Sequence, residues 1–251
     1  MNFTKMTNEY YSKWLGVSPE IINTNGVIFI ESSERDKCQA GYSYTFDVYT
    51  YITNNLIIVS YTKRLSDKIE KMKQEVHLGM TTEEVTNIME SVFNTNVKKH
   101  MKFCYNKPLS NIDTINTVKL FEADYPKYLE FFRTQNPNAK ADGWLHKYFN
   151  CISRSGLAFG IFENNKLVSA TDKPDMPYMA NKVQEVGINT LPEYRGKGYS
   201  KSAILACIKA IIEEGKCPQW SCATNNTISE KLAYEVGYKK LADVLTIDLL
   251  L

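Results

Sequence analysis

Residues 183–201 read Val183-Gln184-Glu185-Val186-Gly187-Ile188-Asn189-Thr190-Leu191-Pro192-Glu193-Tyr194-Arg195-Gly196-Lys197-Gly198-Tyr199-Ser200-Lys201: a strand-like run, Val183 to Leu191, that ends in a glycine loop and leads into a helical pattern. Two glycines at a strand-to-helix corner allow a tight bend that exposes backbone amides. The free N–H groups and the positive dipole end of the following helix suit a phosphate or pyrophosphate. Arg195, Lys197 and Lys201 add positive charge at the same place.

Three better-known glycine motifs do not fit. A Walker loop has four residues between its glycines and a Lys-Ser/Thr after the second. The dinucleotide fingerprint needs Gly or Ala where Lys201 stands, and a hydrolase elbow needs glycine where Ser202 stands. What remains is Arg-x-x-Gly-x-small, counted as Arg195, Gly198 and Ser200.

Outward from the loop the pattern stays ordered. Ile204, Cys207, Ile208 and Ile211 recur at helical spacing up to Gly215, a natural C-cap. A strand follows at Gln219 to Thr224. A second helix from Asn226 places Ile228 and Leu232 on one face and stops at Gly237, before a strand-rich tail through Leu250.

On these segments, residues 117–250 resemble the GNAT superfamily of acyl-CoA-dependent N-acyltransferases. Val186 to Gly198 is similar to the family's central strand and pyrophosphate loop. Trp220-Ser221-Cys222-Ala223 with Asn225 and Asn226 is similar to the next strand and its exit. Ser229 to Tyr238 is similar to the helix that closes on a Gly-aromatic signature. The Trp-Ser-Cys variant and the N-terminal extension resemble a bacterial subgroup that includes zwittermicin-resistance-type acetyltransferases. The implied fold is α/β of the mixed α+β kind, a GNAT-like mixed central sheet flanked by helices. The chain divides into an N-terminal α/β domain over 1–115 and the acetyltransferase domain over 116–251.

The resemblance also implies roles. Acyl transfer needs the donor held, the amine neutral, the oxyanion stabilised and the thiolate protonated. Gly196, Lys197, Gly198, Tyr199, Ser200 and Lys201 would hold the pyrophosphate of acetyl-CoA, with Arg195 as a phosphate contact rather than an exposed turn cation. Backbone groups at Ile188, Asn189 and Thr190 would pair with pantetheine, and the Ile188 amide would polarise the thioester carbonyl. Asn226 and Ser229 complete the cofactor set. Glu185 is the candidate base, partial burial raising its pKa toward neutrality; the competing reading is a strand glutamate that binds a cationic acceptor or faces solvent. Asp172 and Asp175 are loop alternatives for such binding.

The acid departs from the family pattern. Many relatives place tyrosine seven residues after the asparagine that opens the last motif, where this chain has Ala233; Tyr234 comes one residue later. One residue turns a helical side chain by about 100°. Tyr234 is therefore either the acid or a core or surface aromatic, with Ser229 or water as substitutes. Catalysis on a small amine and CoA binding without turnover both remain open here.

Composition bounds the alternatives. With 251 residues at 43% hydrophobic content the chain can bury a large core, and 30 basic against 28 acidic side chains gives no case for a nucleic-acid partner. The Lys98-Lys99-His100 and Lys102 cluster reads as solvated surface. No apolar run reaches the ~20 residues that span a bilayer, and the polar N-terminus lacks a signal-peptide core, so a cytoplasmic protein without a membrane partner is expected. Six scattered cysteines and His77, His100 and His146 make no metal-ligand spacing, so no metal is expected; Cys207 and Cys222 read as core residues.

Upstream, the spacing predicts a strand at Thr117–Phe121, helices over Asp124–Arg133 and Lys140–Cys151 split at Asn136-Pro137-Asn138, and a hairpin of Leu157–Phe162 with Lys166–Thr171. Before that come a strand at Val27–Ile30, an alternating strand at Tyr42–Val48, a strand at Leu56–Val59 and a capped helix from Thr82 to Phe93.

Overall fold

The computed structural model describes residues 1–107, 114, 116–141 and 143–249. Helix α1 (Phe3–Leu15) is capped by the Asn2 side chain and closed by Gly16. It buries Tyr10, Tyr11, Trp14 and Leu15, the spacing of one helical face. Strands β1 (Gly26–Glu31), β2 (Val48–Ile52) and β3 (Leu56–Tyr61) follow, then α2 (Ser66–Glu75), α3 (Thr82–Phe93) and β4 (Lys98–Tyr105). Thr81 and Glu84 form the reciprocal capping box that starts α3.

The chain continues through β5 (Thr117–Lys119), α4 (Tyr125–Gln135), α5 (Trp144–Arg154), β6 (Phe159–Glu163) and β7 (Lys166–Asp172). It ends with β8 (Val183–Glu185), β9 (Gly187–Thr190), α6 (Tyr199–Glu213), β10 (Cys217–Ala223), α7 (Thr227–Val236) and β11 (Tyr238–Ile247).

Two sheets result, a seven-stranded one in the order β1-β3-β2-β11-β4-β10-β8 and a four-stranded one in the order β5-β6-β7-β9. The large sheet is mixed: β1 and β3 run parallel, as do β8 and β10, while β4 runs antiparallel to both its neighbours. This mixed sheet flanked by helices is the expected fold class.

Register assigns its two faces. Asp243 is opposite both Ile52 and Met101, and Phe103 is opposite Trp220, so these side chains share a face. Helices α2 and α3 cover one end of it, over Val59, Leu245 and Ile247; α6 and α7 cover the other, over Met101, Phe103 and Trp220. The opposite face carries Tyr49, Tyr51, Ala242 and Val244 under α1. Helices α4 and α5 pack on the small sheet through Tyr128, Phe131, Leu145 and Phe149.

Several expectations change. The alternating run Tyr42–Val48 is a strand only from Val48 onward. Tyr42, Tyr44 and Phe46 instead pack edge-to-face on one another, and Tyr42 and Phe46 also on Trp14, which competes with strand pairing. The Lys98–Lys102 cluster is strand β4, not a solvated surface run, with Met101 buried and Lys102 partly so. On α7, Ile228 is exposed and Ala233 with Val236 is buried, so the inward face is rotated from the one the spacing suggested. The run 183–191 is two strands in two sheets, broken at Val186. The helix expected from Lys140 begins at Trp144, and residues 115, 142 and 250, on which the domain division, part of that expected helix and the end of the tail fall, lie outside the described residues. The large sheet takes strands from both sides of residue 115, because β4 sits between β11 and β10.

That insertion has a consequence for folding. A fragment of residues 116–251 leaves β10 and β11 without their shared neighbour and uncovers Trp220 and Tyr238, which are 3% and 2% exposed in the whole chain. It is expected to show no cooperative thermal transition by circular dichroism, whereas the full chain melts cooperatively; a sharp transition in the fragment would contradict the shared sheet.

Candidate functional site

The site begins where the chain changes sheets. Val186 still donates its N–H to the Gln219 carbonyl at 3.1 Å, and the next residue, Gly187, pairs with Asp172 of β7. A Cβ on Gly187 would lie 2.8 Å from the Asp172 Cβ, so this close strand approach requires glycine. Beyond this point β9 stays with β7 while β10 continues alone on that side, and a wedge opens between them.

The antiparallel ladder decides which backbone groups face the wedge. Leu191 donates to Val168 at 2.9 Å, which makes that pair, and by alternation the pairs at Asn189 and Gly187, the hydrogen-bonded ones. The Asn189 backbone is thus directed to β7. Ile188 and Thr190 point their amides and carbonyls the other way, and the Thr190 carbonyl accepts from Arg195 Nε at 3.2 Å. Of the three residues expected to pair with pantetheine, Ile188 turns its N–H and carbonyl to the wedge, Thr190 its N–H, and Asn189 faces β7.

The loop that follows is built as the sequence suggested. Gly196 and Gly198 have φ of 77° and 79°, and a Cβ at either would meet open space. The first intrahelical bond runs from Ser202 N–H to the Gly198 carbonyl, so the amides of Gly196 to Lys201 have no backbone acceptor among the described residues. The side chains are engaged differently from expectation. Lys197 pairs with Glu163 at 3.2 Å and lies over the Tyr194 ring, Tyr199 donates to the same carboxylate at 3.0 Å, and Lys201 is exposed. Ser200, Thr190 and Ser169 form a chain of hydroxyls, each link 2.7 Å. What the loop presents without a partner is therefore mostly backbone.

Asn226 caps α7 by accepting from the Ser229 N–H at 3.1 Å, which commits its side-chain oxygen to the helix. The Ser229 hydroxyl lies against the Cys222 thiol, which burial pushes up. Tyr234 is 47% exposed, donates to Glu230 at 3.2 Å and meets Phe103 edge-on at 5.7 Å. Phe103 faces α6 and α7, whereas Glu185 faces α1. The structure does not bring Tyr234 and Glu185 together.

Glu185 ends β8 at the mouth of the wedge and accepts a hydrogen bond from Ser221 Oγ of β10. It opens into a cavity of about 290 Å³ under α1, walled by Tyr10, Trp14, Tyr42 and Tyr148 and floored by Lys102 with Glu185. Asp175 reaches the rim. Asp172, by contrast, is half-buried beside Gly187; burial raises its pKa, the Lys173 amide opposes that, and the Glu185 charge adds to it. Burial lowers the Lys102 pKa, with Glu185 acting in the opposite sense. His100, two residues along β4, is pushed down to about 4 by burial, then by Lys102 and Lys98. Sequence reasoning missed Lys102 and the α1 aromatics; Tyr10, Tyr11 and Trp14 at helical spacing marked a buried helix face, but nothing local marked a cavity. Among the described residues no group of three or more His, Cys, Asp and Glu is arranged to hold a metal ion, and no helix is long and apolar enough to cross a membrane.

The GNAT acetyltransferase family model matches residues 17–243, and the chain belongs to that family. An uncharacterized N-acetyltransferase of Bacillus subtilis, YdfB, is 28% identical over 103 residues, 40% of this chain and 38% of its own; this chain thus spans well under half of that relative. A GNAT-family acetyltransferase from Colwellia psychrerythraea superposes with a TM-score of 0.54 at 16% identity, over 77% of this chain and 76% of the other. A GCN5-related N-acetyltransferase from Sphaerobacter thermophilus gives 0.50 at 11% identity, over 66% and 56%. These likenesses are of fold.

The depressed His100 fixes a pH response. Its folded pKa lies below the ordinary histidine value, so the unfolded chain binds the proton first and stability falls as pH drops from about 6.5 to about 4. His100→Gln is expected to flatten that fall by up to about 3 kcal/mol, read from urea unfolding across the window. Parallel pH slopes for the two proteins would contradict the assignment.

Proposed function

We propose that the chain transfers an acetyl group from acetyl-CoA to the amine of a small molecule seated in the cavity under α1, by direct attack. The observation that carries this reading is the meeting of three features at one strand break: the wedge along β9, the unbonded amides of Gly196 to Lys201, and Glu185 at the wedge mouth. The open space at Gly196 and Gly198 and the run of unbonded amides after them fit a pyrophosphate.

In this reading the amides of Gly196, Lys197, Gly198, Tyr199, Ser200 and Lys201 hold the donor's pyrophosphate, and Ile188 and Thr190 hold its pantetheine arm through their backbones. The Ile188 N–H stabilises negative charge on the thioester oxygen. Glu185, oriented by Ser221, accepts the acceptor's ammonium proton, directly or through water. The amine nitrogen bonds to the acetyl carbon as the carbon–sulfur bond breaks. Water is the proton donor left for the thiolate, since Tyr234 and Ser229 both belong to α7 on the other face of the sheet. Acetyl-CoA is a cosubstrate, no metal takes part, and the setting is cytoplasmic. The Trp220-Ser221-Cys222 strand and the N-terminal segment support a place beside the zwittermicin-resistance-type enzymes. A CoA-binding module without turnover is the second reading, favoured by the outward position of Tyr234.

Thiol release from acetyl-CoA with a panel of amines separates the two. Glu185→Gln is expected to lower kcat at least 100-fold with little change in the KM of acetyl-CoA. Tight CoA binding with no turnover on any amine would favour the second reading instead. For the loop, Gly198→Val places a branched residue at φ 79°, and calorimetry is expected to show at least tenfold weaker CoA binding in a variant of unchanged circular dichroism. Unchanged affinity would remove the pyrophosphate assignment.

A further inference from the structure

Glu185 accounts for an amine in the cavity, but it leaves Lys102 unexplained. The Lys102 side chain lines the cavity and has no hydrogen-bond or ion-pair partner among the described residues. Glu185 acts on this partly buried ammonium only across the cavity, without ion-pair contact, which leaves it costly, and it would repel an acceptor that carried only positive charge.

Register places this cation relative to the carboxylate. Lys102 of β4 lies opposite Ser221 of β10, and Glu185 of β8 lies opposite Gln219, two residues back along β10. Ser221 Oγ donates to the Glu185 carboxylate, which draws that carboxylate toward the level of Lys102. Cation, hydroxyl and carboxylate thus form a row across three neighbouring strands, whose outer members are about 10 Å apart in the backbone. Both side chains line the cavity. Lys173 and Asp175 repeat the pairing of signs at the rim, so the cavity offers two positive and two negative groups.

Resting on the acetyl-transfer reading, we propose that the acceptor is a primary amine that also bears an anionic group a few bonds away, a carboxylate or a phosphate, with Lys102 binding the anion while Glu185 faces the amine. Lys102 is then a specificity-determining residue. The rings of Tyr10, Trp14, Tyr42 and Tyr148 give the rest of the acceptor aromatic walls. At about 290 Å³ the cavity is at the small end of ligand pockets, the size for an amino-acid-like molecule rather than a peptide or polymer.

The test compares amines that differ in the anion alone. L-phenylalanine is set against L-phenylalaninamide and phenethylamine, and O-phosphoethanolamine against ethanolamine, in thiol release and in calorimetry. The anionic member of at least one set is expected to lead its neutral partners by tenfold or more in kcat/KM, mainly through KM; which set leads separates carboxylate from phosphate. Lys102→Met, close in volume, is expected to bring that ratio near one, and Lys102→Arg to keep most of it. Neutral partners used as well as the anionic ones, or a Lys102→Met protein that loses all amines in equal proportion, would overturn the proposal. Calorimetry needs no turnover and keeps the two readings apart. Preferential binding of an anionic amine that Lys102→Met abolishes, without acetylation, supports Lys102 and sinks acetyl transfer. Acetylation with no preference for the anion sinks the role of Lys102 alone.

Discussion

One strand serves two sheets, and the change of partner at Val186 governs the rest. Val183 to Glu185 run parallel to β10, Gly187 to Thr190 run antiparallel to β7, and the single residue between them bonds back to Gln219. A strand edge satisfied on one side leaves the other side's amides and carbonyls free, which is unfavourable unless something pairs with them. Here the N–H and carbonyl of Ile188 and the N–H of Thr190 line a wedge, and the loop at its end presents further unpaired amides. The missing Cβ at Gly187 lets β7 come close enough to draw β9 away. Glu185 is the last residue before that departure, so the carboxylate stands where the wedge begins.

The N-terminal half completes the site rather than standing apart from it. It supplies β4, which lies next to β10 and presents Lys102, and α1, whose aromatic side closes over the same face. That wall is held from behind. Arg35 is fully buried, donates to the Trp14 carbonyl and lies over the Tyr49 ring at 5.2 Å, and Trp14 stacks on Tyr49 at 5.2 Å. Gln219 Nε2 donates to Thr7 Oγ1 at 3.1 Å, which ties α1 to the sheet beside Glu185. A cavity fixed by such contacts presents its charges already in place, and little ordering remains to be done on binding.

What the sequence made legible was local. The glycine loop could be read because its residue spacing, its positive φ requirement and the helix after it all lie within about ten residues. The capping box at Thr81 and Glu84 was legible for the same reason. The break at Val186 was not, because Val183 to Leu191 is uniformly strand-like and the cause lies in Asp172, fourteen residues earlier. Lys102 was hidden in a basic cluster that resembles solvated surface; its neighbours in space come from residues 10, 185 and 221. Tyr234 illustrates a third limit. The one-residue offset from Ala233 was visible, but the direction it gives the ring depends on which face α7 turns to the sheet.

Amide hydrogen exchange resolved to single residues, with and without CoA, tests the wedge most directly. The predicted result is slowed exchange at Ile188 and Thr190 and across Gly196 to Lys201, with Asn189 unchanged because its amide is already bonded to β7. Protection absent from these amides while CoA is bound, or protection at Asn189 in place of its two neighbours, would contradict it.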